Sequence, residues 1–173
     1  PEEIQQIAEY FIKERRFHTT VKLNPTLLGK EEVRDILNNR LGYDISVPEI
    51  AFEHDIKYLD AISMIRSLQL LSESMGVEFG IKLTNTLEVI NNNTDLPGSE
   101  NMVYMSGRAL HPIAINLALK LQTEFKGNVD ISFCAGVDAF NITDTLECGL
   151  TPVTVCSDLL KPGGYARLAQ YFT

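Results

Sequence analysis

Two lysines stand alone inside apolar, β-prone runs: Lys22 in Val21-Lys22-Leu23-Asn24 and Lys82 in Ile81-Lys82-Leu83-Thr84. A lysine within a strand either points into the mouth of a barrel or snorkels outward between helices. Turned inward, it binds a phosphate or an anionic ring nitrogen. Turned outward, it is a solvated or packing residue. A desolvated lysine forming a Schiff base, as in an aldolase, is a further option, but it needs a polar partner cluster that the sequence does not place. Three residues beyond Lys82, Asn85 lies between the hydroxyls of Thr84 and Thr86 and offers a donor and an acceptor at a strand end. Simple strand termination is its plainer role.

Ser106-Gly107 immediately precedes a helical pattern, and Ala135-Gly136 follows an apolar run just upstream of another. Both turns can present backbone N–H groups to a phosphate at a helix start. Ser157, after Cys156, marks a further strand end. One such glycine is more often a turn without a ligand. Two of them late in the chain are what a phosphate grip requires. His18, His54 and His111 are far apart and show no helical pairing with another ligand, so no metal site is expected. Cys134, Cys148 and Cys156 form no C-x-x-C pair and read as reduced, structural thiols.

The elements that position these residues follow from periodicity. Helical spacing predicts helices over 1–15, 30–41, 58–75, 110–125 and 141–147, with a last helix opened by Gly163-Gly164. β-prone runs predict strands over 19–23, 44–47, 78–83, 102–105, 129–133 and 152–156. The stretch Asn91-Asn92-Asn93-Thr94-Asp95-Leu96-Pro97-Gly98-Ser99-Glu100-Asn101 reads as a polar loop. Strands alternating with helices across short connections imply an α/β fold with a parallel sheet and outer helices. A complete eight-stranded barrel takes about 250 residues, so 173 residues hold about five or six parallel strands of a partial TIM (β/α) barrel.

With 45% hydrophobic and 22% charged residues, the composition is that of one globular domain spanning 1–173. A net charge of −8 with scattered basic residues excludes a nucleic-acid or anionic-membrane surface. No run approaches the roughly 20 apolar residues of a membrane span, and no export signal opens the chain, so a cytoplasmic location is expected. The chain begins at Pro1 and enters a helical pattern at once, which leads us to expect a longer natural protein. A partial barrel leaves sheet edges, so a homodimer that covers them is also expected.

The phrases VKLNPTLLG, EFGIKLTNT, YMSGRALHPIAINLALKL, VDISFCAGVDAFNI and PVTVCSDLLKPGGYARL resemble the selenate-reductase-like family of large iron–sulfur flavoproteins, often described as similar to the glutamate synthase small subunit. More distantly, the same order is similar to the flavin mononucleotide (FMN) barrels of dihydropyrimidine and dihydroorotate dehydrogenase. The resemblance covers essentially the whole chain. It implies the carboxyl-terminal part of an FMN-type barrel within a multidomain NAD(P)H-, flavin- and iron–sulfur-dependent oxidoreductase, with FAD and iron–sulfur clusters in other domains. It further implies flavin contact by Lys22 or Lys82, flavin or substrate contact by Thr84, Asn85 and Thr86, and phosphate binding by Gly107, Gly136 and Ser157, with Ser106 a cofactor-binding candidate from its turn.

In those barrels the loop bearing the catalytic cysteine or serine would fall upstream of Pro1, so the isolated chain is expected to be inactive. The sequence departs from the resemblance at Cys134-Ala135-Gly136, where two glycines are expected, and in the additional stretch 44–75. The rival expectation is an inactive barrel that serves as a scaffold or docking module between redox domains. Expected partners are a small-molecule substrate and those domains.

Overall fold

A computed structural model of the chain describes residues 2–92 and 100–172; most of the polar loop at 91–101 therefore lies outside the described residues. Three parallel strands form the main sheet in the order β1 (Thr19–Leu23), β2 (Phe79–Leu83), β5 (Asp130–Phe133). Thr19 pairs with Phe79 and Leu23 with Leu83, while Gly80 pairs with Asp130 and Leu83 with Phe133. Because side chains alternate along a strand, this register sorts the sheet into two faces. Val21, Leu23, Ile81, Leu83, Ile131 and Phe133 are buried on one face. Thr20, Lys22, Gly80, Lys82, Asp130 and Ser132 share the other.

Helices cover the apolar face. α4 (Tyr58–Met75) packs on β2, and α1 (Glu2–Lys13) packs on α4 and β1. α4 buries Ala61, Ile62, Met64, Ile65 and Leu68, an i, i+3, i+4 stripe, and ends at Gly76, whose φ of 66° is the left-handed cap that a glycine supplies most easily. α5 (His111–Phe125) buries Ile113, Ala114, Leu117, Ala118, Leu121 and Phe125, with Pro112 harmless in its first turn. The fold is α/β, a partial TIM barrel, with the polar sheet face on the inside and helices outside.

The number of parallel strands is smaller than the sequence predicts. Met102–Met105 is strand β4, but it pairs antiparallel with β3 (Leu87–Ile90), a short strand the sequence reading passes over. A parallel return needs a crossover of a dozen or more residues, usually a helix. Here only 84–86 separate β2 from β3, and 91–101 separate β3 from β4.

The predicted strand at 44–47 forms no ladder. Asn38 donates its side-chain amide to the carbonyls of Tyr43 at 2.9 Å and Ile45 at 2.8 Å, which occupies acceptors a ladder would use, and Ile90 N–H reaches only Ser46 O. The predicted strand at 152–156 contracts to one parallel bridge between Phe133 and Val153, because it meets β5 only at its last residue.

Helical boundaries shift too. The helix predicted over 30–41 is α2 (Lys30–Arg34), which widens into a π-helical turn over Asp35–Arg40. The stretch 44–75 holds an additional helix, α3 (Glu49–His54). α6 (Ile142–Glu147) follows β5, and the last predicted helix is a 3-10 segment, Gly164–Phe172.

Candidate functional site at the carboxyl ends of the strands

Asn24 follows β1 and leads into a 3-10 turn over Pro25–Leu28, with proline at the first position, where its fixed φ suits the turn. Beyond β2, the backbone N–H of Asn85 donates to Leu23 O at 2.8 Å and keeps Asn85 beside the end of β1. The side chains then connect. Asn85 Nδ2 donates to Asn24 Oδ1 at 2.5 Å, the Asn24 amide donates to Asp55 Oδ1, and Thr26 Oγ1 donates to Asp55 Oδ2 at 2.5 Å. Asp55, just past α3, thus ties the additional helical stretch to both strand ends.

A cavity of about 270 Å³ opens on this network, bounded also by Thr86, Glu88 and Tyr104. Its charged walls are the carboxylates of Asp55 and Glu88, with no lysine or arginine among the lining residues. Such a wall accepts N–H groups and disfavours anions. No described residue donates to Asn85 Oδ1, so donor and acceptor both remain for a ligand.

Lys22 and Lys82 come together on the polar face, directly opposite in register. Adjacent strands lie about 4.8 Å apart, so the two lysine side chains leave the sheet side by side. Lys22 is exposed and Lys82 half-buried. Neither has a hydrogen bond or ion pair with any described residue.

The two turns read as a phosphate grip also converge, with Ser157 beside them. Gly136 takes φ 61° and Gly107 φ 72°, and a Cβ at Gly107 would meet Ser157 Cβ and Oγ at 3.4 Å. Gly136 lies so close to Gly107 that its glycine is required by the packing of one turn on the other. Gly107 and Ser157 each open a 3-10 turn, over Gly107–Leu110 and Ser157–Leu160, and Ser106 precedes the first of these without capping it. The N–H groups of Gly107, Gly136 and Ser157 make no hydrogen bond to any described residue. Such orphan donors suit an anion. Ser106-Gly107 follows the hairpin strand β4 and not a barrel strand, so the two turns do not stem from successive barrel strands.

Thr84 is 3% exposed, and its hydroxyl is without a hydrogen-bond partner among the described residues. The Cys134 thiol donates to Leu83 O at 3.2 Å and joins the ends of β2 and β5. Asp158, also 3% exposed, receives Lys161 at 2.9 Å, Arg167 at 3.0 Å and Tyr171 at 2.8 Å. The Lys161 and Arg167 hydrogen bonds hold its carboxyl well below the usual carboxylate range. Burial first, then its hydrogen bond to Asp158, pushes the Tyr171 phenol up to about 12.

Sequence reasoning gives no role to Asn24, Thr26, Asp55, Glu88 or Tyr104. Asn24 has a signal, its place at a strand end. Asp55 has none, because its partners lie 31 and 29 residues away.

No helix among the described residues is long and apolar enough to cross a membrane. No solved structure matches the chain. The family model described as "Oxidoreductase YgfK, N-terminal TIM-barrel domain" matches residues 1–173. Two curated relatives, both named "Putative oxidoreductase YgfK", from Escherichia coli K12 and Escherichia coli O157:H7, are each 46% identical over 170 residues. The match covers 98% of this chain and 16% of each relative, so the chain spans about one-sixth of their length. The three-stranded parallel sheet under outer helices and this match over the whole chain place it in the family of the YgfK oxidoreductase N-terminal TIM-barrel domain.

Proposed function

We propose that the chain supplies one wall of an FMN site in the barrel of a multidomain, NAD(P)H-, flavin- and iron–sulfur-dependent oxidoreductase similar to the glutamate synthase small subunit and dihydropyrimidine dehydrogenase. One observation carries the reading: Lys22 and Lys82 are register partners on the polar inner sheet face with no counter-ion among the described residues. An anionic group between them relieves their repulsion.

The donor set fits FMN chemically. Lys22 and Lys82 supply positive charge for an anionic ring or phosphate, Asn85 and Thr86 supply hydrogen bonds at the strand ends, and the N–H groups of Gly107, Gly136 and Ser157 hold a phosphate. A bound flavin supplies hydride and single-electron transfer. The cavity beside Asn24, Asp55 and Asn85 orients an N–H-bearing substrate. No described residue is assigned as a proton donor; in our reading another part of the full-length protein supplies that group. Cytoplasmic location and contact with other redox domains belong to the same proposal.

The test is a flavin count on a full-length family member, paired with FMN titration of the 173-residue chain by fluorescence. The full-length protein is expected to release FMN besides its FAD, and Lys22→Gln with Lys82→Gln to lower that FMN without unfolding the protein. The chain alone, with part of a barrel, is expected to bind FMN more weakly than micromolar, or not at all. A folded full-length protein without FMN overturns the proposal and leaves the scaffold reading, which the tight packing of Gly136 on Gly107 favours.

A further inference from the structure

His111 opens α5 with Nδ1 at 2.8 Å from the carbonyl oxygen of Ala135. A carbonyl only accepts, so Nδ1 carries the hydrogen and the neutral ring keeps its lone pair on Nε2. The ring stands edge-on to buried Phe133, with centroids 5.6 Å apart and planes at 81°. Hydrogen bond and packing together fix its orientation.

Arg108 lies three residues earlier, so the two side chains leave neighbouring positions on continuous helical backbone. Arg108 Nε donates to Asp138 Oδ2 at 2.7 Å, and one terminal nitrogen reaches the same carboxylate. The other, Nη1, has no partner among the described residues. Asp138 is 3% exposed and also receives the Phe140 N–H, so this buried acid anchors the guanidinium. The guanidinium carbon stands 5.7 Å from the centroid of the Phe140 ring, and that ring is 85% exposed. Tyr43 completes a cleft of about 330 Å³, the size of a small-ligand pocket.

We propose that this cleft is a second ligand site that takes a hydroxylated aromatic carboxylate. The carboxylate pairs with the free N–H groups of Arg108, the ligand hydroxyl donates to His111 Nε2, and the ring packs on Phe140 and Tyr43. The site shares no side chain with the proposed flavin wall or with the Asn24–Asp55–Asn85 cavity, so each proposal fails independently of the other.

The test titrates meta-hydroxybenzoate into the 173-residue chain and follows the histidine ring and arginine N–H signals by NMR. Saturable shifts at His111 and Arg108 are expected, with His18 and His54 unmoved. Binding at least about tenfold weaker is expected for meta-hydroxybenzamide, which lacks the charge, and for meta-methoxybenzoate, which lacks the donor. Phe140→Ala, an exposed change that leaves the fold intact, is expected to weaken binding about fivefold or more. No saturation at millimolar concentration, equal binding of either comparator, shifts at His54 in place of His111, or indifference to Phe140→Ala each overturns the proposal.

Discussion

Gly136 rests against the carbonyl of Gly107 so closely that a Cβ built on it would stand 2.3 Å from that oxygen and 2.9 Å from the Arg108 Cα. Both obstacles are backbone, which cannot swing aside. Gly136→Ala therefore adds overpacking, about 1–3 kcal/mol, to the left-handed penalty of about 1–2 kcal/mol. Gly76→Ala meets nothing within 4 Å and carries only the second term. Urea denaturation is expected to rank Gly136→Ala clearly below Gly76→Ala in stability. Equal losses would show that the turns separate easily.

The facing lysines have their own signature. Like charges directly across a strand pair cost about 0.2–1 kcal/mol, and salt screens them. Lys82→Gln is expected to stabilise the chain slightly at low ionic strength, and the gain is expected to vanish at high salt. Thermal melts of both proteins at two salt concentrations check this. A loss of stability at low salt would mean that Lys82 holds a favourable partner.

What the sequence makes legible divides along a physical line. α4 and α5 carry long apolar stripes, and β1, β2 and β5 carry apolar runs, so local pattern is sufficient to find them. Leu87–Ile90 is too short for a pattern, and its partner lies across a polar loop; the hairpin is decided by tertiary pairing. In the same way, local β-propensity at 44–47 yields to the Asn38 amide. At the site, Lys22, Lys82, Asn85, Gly107 and Gly136 are visible as residues out of place in their local context. Asp55 is not, because only the folding of the additional helical stretch brings its carboxylate to Asn24 and Thr26.

That carboxylate is the test of whether the additional stretch is fastened to the site. Asp55→Ala removes the acceptors for Asn24 and for Thr26, which is 8% exposed, and hydrogen bonds to a charged group contribute about 1.5–3 kcal/mol. We expect a destabilisation of about 2–3 kcal/mol in urea, less for Asp55→Asn, which keeps one acceptor. A double-mutant cycle with Asn24→Ala is expected to give a coupling of about 1 kcal/mol. Additive losses would show that the two side chains act separately.

Asp158 and Tyr171 set opposite pH limits on the last segment. No residue of Gly164–Phe172 is buried, and the Arg167 and Tyr171 hydrogen bonds to Asp158 fasten it. The Asp158 carboxyl is lowered by folding, so its contribution is full above the unfolded value of 3.8 and is lost as pH falls below it. The Tyr171 phenol is raised by folding, so its contribution is full below 10 and is lost as pH rises toward about 12. Between those limits the segment is held. Asp158→Asn is expected to free it at neutral pH, read as rapid trypsin cleavage after Arg167, and to flatten the acid side of the stability profile. Trypsin resistance at Arg167 in Asp158→Asn would show that contacts other than the carboxylate hold the segment.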